Sequence, residues 1–169
     1  MAIRGLTEHQ PPPLRGARQI VAHVLAVWFG CGHLPAPGTM GTLGALPLYL
    51  LVRPYGLGAL AATALAITLI GLWAADVVER RLGRKDPQIV CIDEVAGVLI
   101  TLLAAPWTSR GMWVAFVLFR VFDQWKPWPA RRAERLGGGA GVMLDDVVAG
   151  IWGALVLGVA RVSLPPGYL

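Results

Sequence analysis

Apolar residues fill most of this chain in long blocks, and polar residues are confined to the intervals between them. The blocks span 39–52, 57–75, 89–105, 112–125 and 146–162. LGALAATALAITLIGLWAA (57–75) is uninterrupted and reaches the roughly 20 residues that a bilayer crossing requires. The block at 39–52 is shorter and contains Pro47, which predicts a partial or re-entrant crossing. Ahead of these, IVAHVLAVWFG (20–30) places Ile20, Val24, Val27 and Trp28 along one stripe, predicting a short interfacial helix rather than the core of a signal peptide. Residues 1–16, with Pro11, Pro12 and Pro13, read as a mobile polar leader, and 17–169 as a single helical domain. The expected fold is all-α: a compact, membrane-embedded, multi-helix bundle of four or five apolar segments plus the N-terminal interfacial helix.

Composition supports that pattern. The 169 residues suit one domain, and 56% are hydrophobic while only 15% are charged, against about 25% in soluble proteins. A net charge of +5 without a polar, aromatic-interleaved basic surface points to anionic lipid and away from nucleic acid. Cys31 and Cys91 lie too far apart in sequence to suggest a disulfide framework or a zinc site. If all five blocks cross, eleven of the fifteen Lys and Arg residues fall on one side and only Arg53, Arg110 and Arg161 on the other. That asymmetry predicts a cytoplasmic N terminus and cytoplasmic loops at 76–88 and 126–145. Asp86, Asp93, Glu94, Asp123, Asp145 and Asp146 collect at the same surface, as does the turn before Thr39.

Some of these features have purely structural readings. Asp86-Pro87 suits an N-cap followed by proline at the first helical position, and Asp145 or Asp146 suits the cap of the last helix. The pairs Gly150/Ala154 and Ala149/Gly153 suit close helix packing. The glycines at 137–139 and 141 suit equally a flexible linker or a close approach to phosphate.

Asp93-Glu94 is different, because it sits inside IVCIDEVAGVLITLL. A charge at the centre of a membrane helix costs about 2.5–3.5 kcal/mol on insertion scales, and intramembrane acids usually mark function. Gly97 leaves room beside both carboxylates for a helix or a ligand, and Arg120, within FVLFRVFDQWKPWP, could pair with one of them. Clustered carboxylates suit magnesium, and Arg120 with Lys126 would complement a phosphate. The mixture of acids and bases indicates phosphoryl chemistry.

Four stretches in order, GHLPAPGTMGTLGALP (32–47), KDPQIVCIDEVAG (85–97), FVLFRVFDQWKPWPARRAE (116–134) and GGGAGVMLDDVVAG (137–150), resemble the phosphatidylglycerophosphatase A family of bacterial lipid phosphatases. The resemblance implies Mg2+-dependent removal of the terminal phosphate of phosphatidylglycerophosphate, at the bacterial inner membrane with the active site facing the cytoplasm. It implies metal ligation among Asp93, Glu94, Asp123, Asp145 and Asp146, and catalytic roles for Glu94, Asp123, Arg120 and Lys126. It also implies substrate binding by Gly38, Thr39, Arg120 and Lys126. No Cys-x5-Arg loop and no DxDx[TV] nucleophile segment occurs, in keeping with water attacking phosphorus. Two other classes are a CDP-alcohol phosphotransferase, whose DGxxAR run is absent, and a small ion transporter, which would hold its acids near the membrane middle.

Overall fold

The computed structural model describes residues 13–163, so most of the proposed leader, 1–12, lies outside the described residues. The described residues form seven α-helices, α1 (Gly16–Ala26), α2 (Pro37–Val52), α3 (Leu57–Leu82), α4 (Ile92–Leu102), α5 (Ser109–Trp125), the single turn α6 (Ala130–Ala133) and α7 (Gly139–Ser163), with short 3-10 turns at Trp28–His33 and Arg53–Tyr55. No strand occurs among the described residues. Local sequence sets many of the helix ends. Pro37 stands at the start of α2, where its missing N–H is no loss. Thr108 caps α5 by accepting a hydrogen bond from the Gly111 N–H at 2.9 Å. Gly83 closes α3 in the left-handed region at φ 59°, its N–H donating to the Glu79 carbonyl.

Of the four or five apolar segments expected in the membrane, two are supported as spans by length and composition. Among the described residues only α3, with 26 residues, and α7, with 25, are long and apolar enough to cross a membrane. The third apolar block becomes α4, whose 11 residues extend about 17 Å at 1.5 Å per residue, roughly half of a 30 Å hydrocarbon core. Nine of those residues are buried, because α2, α3, α5 and α7 all pack around α4. It is an enclosed core helix, apolar because protein rather than lipid surrounds it. Pro47 does not interrupt α2, which is continuous over 16 residues.

The outer surface carries its own apolar residues. Leu57, Leu65 and Leu69 on α3, Val117 and Val121 on α5, and Ile151, Leu155, Val159 and Val162 on α7 are all exposed. Patches of this kind suit contact with lipid. α1 packs on α3 through buried Ala22 and Ala26 and leaves Ile20, Val21 and Val24 exposed. The predicted stripe is therefore split: Ile20 and Val24 face outward, while Val27 and Trp28 fold inward beyond the end of the helix.

Candidate active site

α4 and α7 run in the same direction, and their register builds the centre of the site. Residues three or four apart on a helix share a face, so Asp93, Gly97 and Thr101 form one column on α4, and Asp146, Gly150 and Gly153 form another on α7. The columns meet at backbone distance. A Cβ on Gly150 would lie 2.3 Å from the Gly97 carbonyl oxygen, and one on Gly153 would lie 2.8 Å from the Thr101 side chain. The Thr101 hydroxyl lies 3.1 Å from the Gly150 carbonyl oxygen and 3.2 Å from that of Gly97. One turn above this contact, Asp93 and Glu94 of α4 meet Asp146 of α7, with one carboxylate oxygen from each lying within 4.8 Å of the others. The room left by Gly97 is filled by Phe119 of α5 and the Asp146 backbone, so helices rather than a ligand occupy it.

α5 and the turn after it bring in the basic side chains. Arg120 and Asp123 are one turn apart and form an ion pair at 2.6 Å, largely screened from solvent. Arg120 thus pairs with Asp123 of its own helix, and the alternative ion pair with Asp93 or Glu94 is not formed. Lys126 ends α5 in the left-handed region at φ 47°, which turns its side chain toward α7. Its Nζ donates to Asp145 Oδ2 at 2.7 Å and lies 3.6 Å from Glu134 Oε1. Burial alone would lower the Lys126 pKa, but the hydrogen bond and charge of Asp145, with Glu134 and Asp146, outweigh it and raise the value. Lys126 is a fixed positive charge.

The start of α2 closes the third side. Ala36, Pro37, Gly38 and Thr39 line an open cleft of about 370 Å³ together with Asp93, Glu94, Arg120, Asp123, Lys126, Asp145 and Asp146. Every predicted site residue therefore lines one cleft. No side chain caps the first turn of α2, which leaves N–H groups at the positive end of a 16-residue helix beside Arg120. Gly38 has no room for a side chain: a Cβ would lie 2.4 Å from Glu94 Oε1 and 3.0 Å from Arg120 Nη1. Both are ends of flexible side chains, so Gly38→Ala is expected to displace them without unfolding the bundle. We predict a fall in turnover of about 100-fold, the scale of a 1 Å misplacement at a reacting centre, with a melting temperature close to the parent. A variant with full turnover would show that Glu94 and Arg120 can shift freely.

Several local readings from sequence are corrected. Asp145 and Asp146 do not cap α7, which begins six residues before Asp145 at Gly139. Within the glycine run, Gly139 and Gly141 belong to the first turn of α7 and serve helix packing, while Gly137 and Gly138 form the connection before it. Gly139 packs against the Leu72 carbonyl oxygen and Gly141 against that of Leu136, where Cβ atoms would lie 1.9 and 2.1 Å away. Asp86 does not cap a helix either. It is exposed on the cleft rim with φ 47°, and α4 starts only at Ile92. Asp86 and Glu134 are the acids near Lys126 that sequence reasoning left out of the site. Asp86 lies in one of the charged motifs, but its neighbour Pro87 made capping the simpler account.

The carboxylate trio fits a hard divalent cation. Asp93 Oδ1 and Glu94 Oε2 are buried without a hydrogen-bond partner, a costly state for acids unless a ligand satisfies them. Their oxygens are the donor type that magnesium prefers.

A cleft that joins buried carboxylates to an Arg, a Lys and an uncapped helix start, on a bundle with an apolar exterior, is that of a membrane enzyme for phosphate esters. Residues 24–161 match the phosphatidylglycerophosphatase A family, and the chain belongs to it. Phosphatidylglycerophosphatase A of Escherichia coli is 43% identical over 141 residues, covering 80% of each chain. The Haemophilus influenzae protein of the same name is 38% identical over 140 residues, covering 80% of this chain and 85% of its own. A Bacteroides thetaiotaomicron protein, provisionally named a phosphatidylinositol-3-phosphatase, is 43% identical over 148 residues, covering 82% of this chain and 92% of its own. No solved structure matches at a significant level.

Proposed function

We propose that this protein hydrolyses the terminal phosphomonoester of phosphatidylglycerophosphate, giving phosphatidylglycerol and inorganic phosphate with the help of Mg2+. Its membership of the phosphatidylglycerophosphatase A family carries the reaction and the lipid. The observation that supports metal assistance is the trio of Asp93, Glu94 and Asp146, two of whose buried oxygens have no partner.

Asp93, Glu94 and Asp146 would hold the ion. When bound, it would neutralise charge on the phosphoryl oxygens and lower the pKa of water. Arg120, Lys126 and the first-turn N–H groups of Gly38 and Thr39 hold the phosphate, combining charge-assisted hydrogen bonds with the positive end of α2. Asp123 keeps Arg120 oriented through their ion pair, and Asp145 does the same for Lys126. Water oxygen forms a new bond to phosphorus and the ester bond to glycerol breaks. A cleft carboxylate, Glu94 or Asp123, takes the proton from the water and passes it to the glycerol oxygen as that oxygen leaves, so the alcohol departs protonated and the carboxylate is restored. We place the protein in the bacterial inner membrane with the cleft toward the cytoplasm. Arg84 and Lys85 directly precede the cleft residue Asp86, and Arg131, Arg132 and Arg135 follow Lys126, so basic residues gather at the cleft end, which supports that orientation.

Phosphate release from detergent-dispersed phosphatidylglycerophosphate tests this reading, with phosphatidylinositol 3-phosphate as the competing substrate. Turnover is expected on the glycerophosphate lipid, lost with EDTA and restored by Mg2+. Faster turnover of the inositol lipid would reassign the substrate, and full activity after exhaustive chelation would remove the metal from the mechanism.

A further inference from the structure

The acids of the cleft fall into two groups with different partners. Asp93, Glu94 and Asp146 converge on one point and form no ion pair with any Lys or Arg among the described residues. Asp145, the immediate neighbour of Asp146, does not join them. Its Oδ2 is bound by the Lys126 ammonium at 2.7 Å, and the same ammonium lies 3.6 Å from Glu134. At Asp145 the cleft therefore already holds a protein cation among carboxylates, whereas in the other half Asp93, Glu94 and Asp146 make no ion pair, the nearby Arg120 being paired with Asp123. Asp93 is more than nine-tenths buried and its Oδ1 is without a partner, as is Glu94 Oε2; Asp145 also has one free oxygen, Oδ1, but its Oδ2 is held by Lys126.

Phosphoryl-transfer sites that use two metal ions place them about 3.5–4 Å apart, bridged by shared acids. Adjacent residues such as Asp145 and Asp146 could serve such a pair, one acid to each ion. Here Asp145 is already bound by the Lys126 ammonium, which also approaches Glu134. We infer that the cleft takes a single divalent cation, on Asp93, Glu94 and Asp146, and that Lys126 is a built-in substitute for a second, holding Asp145 and Glu134 in its place. An ammonium needs no coordination sphere of waters and cannot dissociate, so this half of the site stays charged at any metal concentration. The inference rests on the metal-dependent reading above and extends it to the number of ions.

Mn2+, a spectroscopic stand-in for Mg2+, tests it by equilibrium dialysis and electron paramagnetic resonance on the full chain in detergent. The parent protein is expected to bind one Mn2+ with the spectrum of an isolated ion. Asp93→Asn should lose it. Lys126→Met, which frees Asp145 and Glu134, should bind two, with spin coupling between close neighbours, and Lys126→Arg should return to one. Two ions in the parent would overturn the inference while leaving metal dependence intact, and that result needs no variant to fold. A folded Lys126→Met that still binds one would overturn the substitute role of Lys126. No Mn2+ binding by the parent would instead overturn the metal-dependent reading itself.

Discussion

Asp93→Asn is expected to lower phosphate release by about 100- to 1,000-fold, the range seen when a positioned acid or an electrostatic group is lost from an active site. The side chain keeps its size, so packing is preserved. What changes is charge: one of three carboxylates that meet within 4.8 Å becomes neutral. In the absence of metal these groups repel one another in a buried site, so removing one relieves strain. The melting temperature without metal should therefore stay level or rise, and the added stability that Mg2+ gives the parent should shrink. Loss of turnover together with loss of metal-linked stabilisation is the expected pair of results. If Asp93→Asn melts well below the parent and still responds to Mg2+, the residue serves the fold and the trio is not the metal site.

The largest effect on the fold is expected from Gly150→Val. A Cβ there would lie 2.3 Å from the Gly97 carbonyl oxygen and 3.0 Å from its Cα, and backbone cannot swing aside as a side chain can. α4 and α7 would have to separate, which also stretches the contact between the Thr101 hydroxyl and the Gly150 carbonyl. Overpacking of this kind costs roughly 3 kcal/mol or more at the upper end of its usual range. For a chain of this size that corresponds to a fall in melting temperature of about 6–12 °C. Gly158→Ala, on the same helix with nothing within 4 Å of its would-be Cβ, is the control and should leave stability unchanged or slightly raised. Equal melting temperatures for the two variants would mean that the helix contact is looser than the distances state.

Much of the site was legible in the sequence because intramembrane charge is costly and therefore seldom incidental. Asp93-Glu94 inside an apolar run, and Arg120 with Asp123 one turn apart, were identifiable from that cost alone, and all line the cleft. The small-residue spacing through Gly150 and Gly153 likewise announced a close helix contact. Helix environment was not legible. A helix wrapped by other helices and one wrapped by lipid are both apolar on every side, so α4 read as a membrane segment although its length falls short. The start of α7 was hidden for a related reason. Glycine ordinarily breaks helices, yet Gly139 and Gly141 sit in its first turn because neighbouring carbonyls leave no room for a side chain. The partner of Lys126 was also beyond reach, since spacing shows which acids are near on one helix but not that the fold delivers Asp145 from α7.

The enclosure of α4 has a consequence for how the site moves. A surface helix can fray or detach in a local opening that leaves the rest of a protein intact, at a free energy well below that of global unfolding. α4 has no such route, because helices on all its flanks must part before it can leave. Asp93 and Glu94, in its first turn, are therefore expected to stay in place unless the whole bundle opens, whereas Asp86 lies in an exposed turn outside the helices. The carboxylate floor of the cleft thus depends on global stability in a way that the Asp86 side of its rim does not.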